Sequence, residues 1–304
     1  MITYNHFMPT WIIYALLAPA IATLVAFIDK IILSSQIKDY RGMSIFSAVV
    51  SLVVGVITLA LFGFPTLSID NCLLIISSGS LAIFSAALYF WLMSIEDASK
   101  VVFFFQTIPV FTIILSYLFL GERLSLSQII GSALILIPTL LIVSTKNVFL
   151  PIKSLILMIS SNLLAAASVV VYKFVVDQVP FSETIALESF GWAIGGLILF
   201  ALIPDVKAGF MSTIKTVSKT AIYFVIFNEI LYILSKFFTY FASSIGSVSL
   251  VSVLSGTQVL FGIILAVIFT RLLPKIFKER FSLKSIAYKF FLFAIMMVGM
   301  YLIS

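Results

Sequence analysis

Long apolar runs separated by short polar connections fill this chain, and the runs have the length of a bilayer crossing. A hydrocarbon core about 30 Å thick takes roughly 20 apolar residues of α-helix. Ten runs meet that length, at 11–33, 44–64, 72–94, 100–120, 127–145, 154–176, 184–203, 220–242, 247–270 and 285–303. Backbone amides inside lipid have to pair within their own segment, so the runs are predicted to be helices. The short alternating strands of a membrane β-barrel are not seen in the pattern. Most connections are brief, such as Gln36 to Gly42, Glu96 to Lys100 and Gly121 to Ser127. The longest linkers run Pro204 to Lys219 and Arg271 to Lys284. The predicted fold class is all-α integral membrane, crossing the bilayer many times.

The polar punctuation repeats. Glu122-Arg123-Leu124-Ser125-Leu126, followed by Ile129, recurs as Glu279-Arg280-Phe281-Ser282-Leu283, followed by Ile286. Each copy precedes the last run of its half. Lys30 closes the first run as Lys173 closes the sixth, each with a glutamine soon after (Gln36, Gln178). Small residues recur in the second and seventh runs, Ser51 and Gly55 beside Gly191, Gly195 and Gly196. Small residues let helix backbones approach closely, and packing is the preferred reading for these glycines. The expected division is 1–148 and 149–304, with five spans in each repeat. An odd number of spans makes the halves insert with opposite orientation, the inverted repeat of many secondary transporters.

Composition supports the membrane reading: 62% of residues are hydrophobic and 10% charged. A soluble domain lies nearer half apolar and a quarter charged. The net charge of +6 comes from basic residues at the ends of apolar runs, where anchoring and topology account for them. The expected partner is therefore the lipid bilayer, with no nucleic acid. Lysine and arginine concentrate beside odd-numbered loops, from Lys30, Lys38 and Arg41 to Lys284 and Lys289. By the positive-inside rule those loops are cytoplasmic and both termini lie outside. One cysteine (Cys72) and one histidine (His6) leave no internal disulfide, Cys/His metal cluster or Ser-His-Asp triad. No enzyme activity, metal or cofactor is expected. No phosphate-binding Gly-Lys-Ser/Thr loop is present, which argues against ATP as the energy source. Met1 to Thr10 lacks basic residues and the run from Trp11 to Leu33 is too long for a signal peptide, so it is read as a first span.

Ionisable groups inside a span cost about 2.5–3.5 kcal/mol at the bilayer centre on insertion scales, so they normally face a cavity or each other. The eighth run carries Asn228, Glu229, Tyr232, Ser235 and Lys236. Glu229, Tyr232 and Lys236 are three and then four apart and share one helical face. Glu229 is read as a proton-binding or cation-binding carboxylate with Tyr232 as a hydrogen-bonding wall. The alternative is a buried ion pair or a clamp to a neighbouring helix. Glu188, in the seventh run, either lines the cavity mouth or interacts with Lys173, while Glu183 is read as a helix N-terminal charge. Asp29 is a candidate for the central path, beside Lys30, which can snorkel to the interface. In the third run Ser77, Ser78, Gly79 and Ser80 offer hydroxyls to a solute or to a helix backbone, and Ser80 is kept as a candidate. In the fourth, Gln106 and Thr107 precede Pro109, which frees a carbonyl and favours a kink. The matching part of the ninth run holds Ser252, Ser255, Gly256, Thr257 and Gln258, and the two helices are expected to face each other across a shared cavity.

One stretch carries a family resemblance. Ile108-Pro109, then Leu118-Phe119-Leu120-Gly121-Glu122-Arg123-Leu124-Ser125, then Gly131, resembles the fourth-to-fifth helix signature of the drug/metabolite transporter superfamily, EamA type. In that pattern a proline sits early in the fourth helix, a Leu-Gly-Glu-Arg turn closes it and a glycine opens the fifth. The second copy departs from it, with Lys278 where Gly121 stands, and the ninth run adds a basic tail from Arg271 to Lys278. The resemblance implies a ten-helix secondary transporter or exporter of small organic solutes, often amino acids or related metabolites, in a bacterial inner (plasma) membrane. It also implies both termini in the cytoplasm, the reverse of the charge bias. Glu122 and Arg123 are read as caps on adjacent helix ends, not as solute ligands. The expected mechanism is alternating access, with Glu229 supplying proton coupling or charge recognition. A complete duplication removes the need for a second copy, so a monomer is expected. A nucleotide-sugar or lipid-linked head-group transporter would favour a basic cavity, for which Lys236 is thin support. A non-transporting scaffold would have no use for an acid in mid-membrane.

Overall fold

In the computed structural model, residues 9–35, 42–96, 101, 104–143, 150–216, 218–272 and 283–304 are described. They form α1 (Thr10–Ser35), α2 (Met43–Phe62), α3 (Ile69–Ile95), α4 (Ile108–Phe119), α5 (Leu126–Val143) and α6 (Ile152–Val176). The second half continues with α7 (Phe181–Leu202), α8 (Pro204–Thr216), α9 (Lys219–Ile245), α10 (Val248–Ser255), α11 (Gln258–Leu272) and α12 (Leu283–Ile303). No strand occurs among the described residues. Six helices, α1, α2, α3, α6, α7 and α9, are long and apolar enough to cross a membrane. Shorter apolar helical segments accompany them at Ile108–Phe119, Leu126–Ile142, Val248–Gly262 and Phe290–Ile303.

Local chemistry sets the ends of these elements. Ser68 and Ser247 cap α3 and α10, accepting hydrogen bonds from the amides of Asn71 and Leu250. Gly121 ends the α4 turn at φ +68°, a left-handed conformation that suits glycine, and the amide of Glu122 then reaches back to the carbonyl of Ser116 at 3.2 Å. The carboxylate of Glu122 crosses to the other half and caps α10. It accepts from the amides of Val248 (3.0 Å) and Ser249 (3.2 Å) and from the hydroxyls of Ser247 (2.9 Å) and Ser249 (2.7 Å). The capping role expected of Glu122 is thus seen directly. The matching Glu279–Arg280 turn lies outside the described residues.

Two expectations are corrected. The linker from Pro204 to Lys219 contains a helix, α8. Proline opens it, Asp205 lies in its first turn, and Val206, Gly209 and Thr213 are buried at helical spacing. Its many polar residues hid an amphipathic pattern among longer apolar runs. The ninth run, in turn, is not one helix: it breaks at Gly256–Thr257 into α10 and α11.

The helices pack through small residues and serines. α3 runs along α6 and α7, α1 along α9, α2 along α7, and α5 along α12. A Cβ added to Gly79 would lie 2.2 Å from the carbonyl of Glu188, and one on Gly191 would lie 2.3 Å from that of Ile76. The α3–α7 crossing therefore tolerates only hydrogen at both positions. Ser78 and Ser168 exchange hydroxyl-to-carbonyl bonds of 2.9 Å between α3 and α6, and Ser161 donates to the carbonyl of Ser85 at 2.9 Å further along the same seam. The outward faces are apolar: Phe62, Leu197 and Tyr301 are each about two-thirds exposed or more. Lipid, not water, suits such a surface.

Candidate functional site

A cavity of about 340 Å³ lies inside the bundle. Small residues of α1 (Ala15, Ala18, Pro19, Ala22) leave the space, since nothing larger fills it from that side. Tyr89, Phe90 and Phe105 form an aromatic wall. Most of the polar lining comes from α9, where Asn228, Glu229, Tyr232, Ser235 and Lys236 point along one side, joined by Ser252 of α10 and Gln258 of α11.

Two broken helices flank this space, and their breaks are built alike. At the first, the amide and hydroxyl of Thr107 both bond the carbonyl of Phe104, at 2.9 and 2.7 Å, and α4 resumes with Val110 bonding back to Thr107. At the second, the amide and hydroxyl of Thr257 both bond the carbonyl of Leu254, at 3.0 and 2.6 Å, and α11 resumes with Leu260 bonding back to Thr257. Neighbouring helices take up the freed groups. The amide of Asn162 (α6) donates to the carbonyl of Phe104 and to Thr107 Oγ1, both at 2.8 Å. Thr139 (α5) and Thr23 (α1) donate to the carbonyls of Gly256 and Gln258, each at 3.2 Å. Non-helical backbone at membrane depth is tolerated where protein satisfies it in this way. α4 and α10 meet face to face, with Ser116 against Ser249 and Ser252 donating to Thr112.

Beside the cavity sits a buried ion pair. Glu188 Oε2 lies 3.0 Å from Lys236 Nζ. Glu188 Oε1 accepts from Trp192 Nε1 at 2.8 Å and from the hydroxyl of Tyr240 at 3.0 Å. The ammonium of Lys236 stands 4.0 Å above the centre of the Trp192 ring. Tyr240 stacks on Tyr172 with centroids 4.0 Å apart, and Tyr172 in turn meets the hydroxyl of Thr184.

The nine candidate residues separate into groups. Asn228, Glu229, Tyr232, Lys236 and Gln258 line the cavity, and Glu229 is buried. Glu188 stands behind Lys236. Lys173 is not its partner, because Lys173 bonds Asp177 one turn on at 2.7 Å. Ser80 spends its hydroxyl on the carbonyl of Gly191 at 2.9 Å, a helix-packing bond away from the cavity lining. Gln106 is buried in the first helix break and does not reach the lining. Asp29 falls within α1, but its side chain lies outside the described residues. Glu183 takes the amide and hydroxyl of Thr66, at 2.7 and 3.0 Å, tying the α2–α3 connection to the start of α7.

Trp192 and Tyr240 were not singled out from sequence. Each stands four residues beyond a charge, Trp192 after Glu188 and Tyr240 after Lys236, so each pair shares a helical face. That spacing was readable. The meeting of the two faces was not, because it depends on how α7 and α9 pack.

The fold and the cavity define an all-helical, multi-pass membrane protein. Residues 9–144 match the model of the EamA-like transporter family, part of the drug/metabolite transporter superfamily. No curated protein matches the chain. A solved crystal structure superposes over 97% of this chain and 97% of its own with a TM-score of 0.71 at 14% identity, a likeness of fold alone.

Proposed function

We propose that this protein is a secondary transporter that moves a small organic solute through the central cavity by alternating access. The observation that carries the reading is the cavity itself. It is a space between helices of both halves, with a buried carboxylate, Glu229, on its wall. A scaffold would gain nothing from burying an acid there, whereas a transporter uses one to bind a proton or a cation. The nucleotide-sugar reading loses its main support, because the one ammonium lining the cavity among the described residues, Lys236, is already neutralised by Glu188.

The same reading takes the chain as ten spans in two inverted five-helix repeats. Support comes from the breaks at Thr107 and Thr257, where each threonine bonds three residues back through both amide and hydroxyl and accepts from the amide three residues on. Further support comes from packing that survives exchange of the halves: α3 on α6 is matched by α9 on α1, while α2–α7 and α5–α12 each pair equivalent spans. Discontinuous helices facing a central site are a recurring feature of such transporters.

The test uses purified protein in liposomes, with solutes chosen by a thermal-shift screen of amino acids, amines, sugars and nucleotides. Glu229→Gln is expected to lower solute flux at least ten-fold and to flatten its dependence on pH. Flux and pH profile identical to the unmodified protein would remove Glu229 from the mechanism.

A further inference from the structure

We propose that Glu188, Trp192 and Tyr240 form a binding site for an alkylammonium group, and that Lys236 occupies it as a tethered ligand which the ammonium of an incoming solute displaces. This takes the cavity of the transport reading and names the group its solute carries.

The geometry is that of a cation site built before the cation arrives. Two neutral donors, Trp192 Nε1 and the Tyr240 hydroxyl, hold one oxygen of Glu188 at 2.8 and 3.0 Å. The other oxygen faces Lys236 Nζ at 3.0 Å. The ammonium is covered by the face of Trp192 at 4.0 Å, with the Tyr240 ring centre at 6.0 Å. A carboxylate with aromatic faces at these distances is the chemistry that recognises an ammonium group. Lys236, Trp192 and Tyr240 all line the cavity, so a solute reaches the same surfaces. Lysine is suited to a displaceable plug, being a compact charge on a flexible four-carbon stem.

The displaced lysine has somewhere to go. Glu229 lies on the same face of α9, seven residues before Lys236 and so about 10 Å along the axis. The two side chains together span that gap. With the solute bound, its ammonium pairs with Glu188 and Lys236 pairs with Glu229. The backbones of α7 and α9 approach each other at few places, and the Glu188–Lys236 bond bridges that gap. Its exchange for a solute removes one of two side-chain bonds from α9 to Glu188, leaving that of the Tyr240 hydroxyl.

Binding is measured on purified protein in detergent at neutral pH, with benzylammonium as probe and benzyl alcohol as its neutral match. Lys236→Met is expected to bind benzylammonium at least ten-fold more tightly than the unmodified protein, with no change for benzyl alcohol. Adding Glu188→Gln is expected to abolish that gain. An unchanged or weaker benzylammonium affinity in Lys236→Met overturns the proposal and makes the pair a plain clamp. A second measurement keeps the ion pair intact: with Trp11→Phe and Trp91→Phe, Trp192 is the sole tryptophan. Benzylammonium is then expected to shift its emission saturably while benzyl alcohol does not, and equal responses overturn the proposal. Because no gradient enters these readouts, they separate the two ideas. Ammonium-selective binding without flux in liposomes would remove the transport reading and keep the site; flux with ammonium-blind binding would do the reverse.

Discussion

Glu122 joins the two halves through four hydrogen bonds from the start of α10, two from serine hydroxyls and two from amides that have no partner within the helix. Two of those donors are backbone amides, and a negative charge at a helix N-terminus also opposes the helix dipole. Losing the carboxylate leaves the amides of Val248 and Ser249 uncapped at a partly buried position. Glu122→Ala is therefore expected to lower stability by about 1–3 kcal/mol. Thermal unfolding of the purified variant reads this directly. A melting point equal to that of the parent protein would contradict the capping role. Sequence exposed this residue well, since a charged turn between apolar runs stands out. It did not expose Trp192 or Tyr240, which are aromatic residues in a chain with 30 phenylalanines and 11 tyrosines. Nothing local separates an aromatic that covers an ammonium from one that faces lipid.

Helices were legible wherever burial in lipid demanded a long apolar run, and α1, α2, α3, α6, α7 and α9 all match predicted spans to within a few residues. The exceptions have physical causes. α8 is amphipathic, and its apolar residues are too few to register against its neighbours. The break in α10–α11 leaves hydropathy untouched, because Gly256 and Thr257 interrupt hydrogen bonding and not burial. The first break was signalled by Pro109, which lacks the amide a continuous helix would need. Crossing geometry is decided between elements. Gly191 meets the backbone of α3 with no room for a methyl group, whereas a Cβ on Gly262 would find its nearest neighbour, Thr23, only at 3.9 Å. Gly191→Val should force α3 and α7 apart and lower stability by about 1–3 kcal/mol or more, through overpacking. Gly262→Ala should be neutral or stabilise by about 0.5–1 kcal/mol, because it removes a glycine from a helix interior. The two variants compared by thermal unfolding test whether contact geometry or the mere presence of glycine sets the effect. Equal losses in both would sink the close-packing account.

At the scale of the whole molecule, helices pack across the expected division at 148/149. The close helix pairs cross it: α3 with α6 and α7, α1 with α9, α2 with α7, α4 with α10, and α5 with α12. The buried clusters cross it too. One joins Ile12, Ala15 and Ile135 to Ala242, Leu250, Leu254 and Met296, and another joins Ile45, Ala48 and Ile83 to Trp192 and Leu199. Within the first half, α2 and α3 touch only lightly. Each half therefore presents to its partner the faces that a folded domain would bury within itself. Separately produced 1–148 is expected to accumulate poorly and to lack a cooperative unfolding transition. Co-production of 1–148 with 149–304 as two chains should restore a complex that copurifies, unfolds cooperatively and binds whatever ligand the intact chain binds. The Glu122 cap and the paired Ser78–Ser168 bonds supply register across the cut, so neither requires the covalent link. Size-exclusion chromatography and thermal unfolding decide the matter. A stable, monomeric 1–148 would mean that α1 to α5 hold a core of their own, and the cavity would then lie between two preformed units instead of being made by their interdigitation.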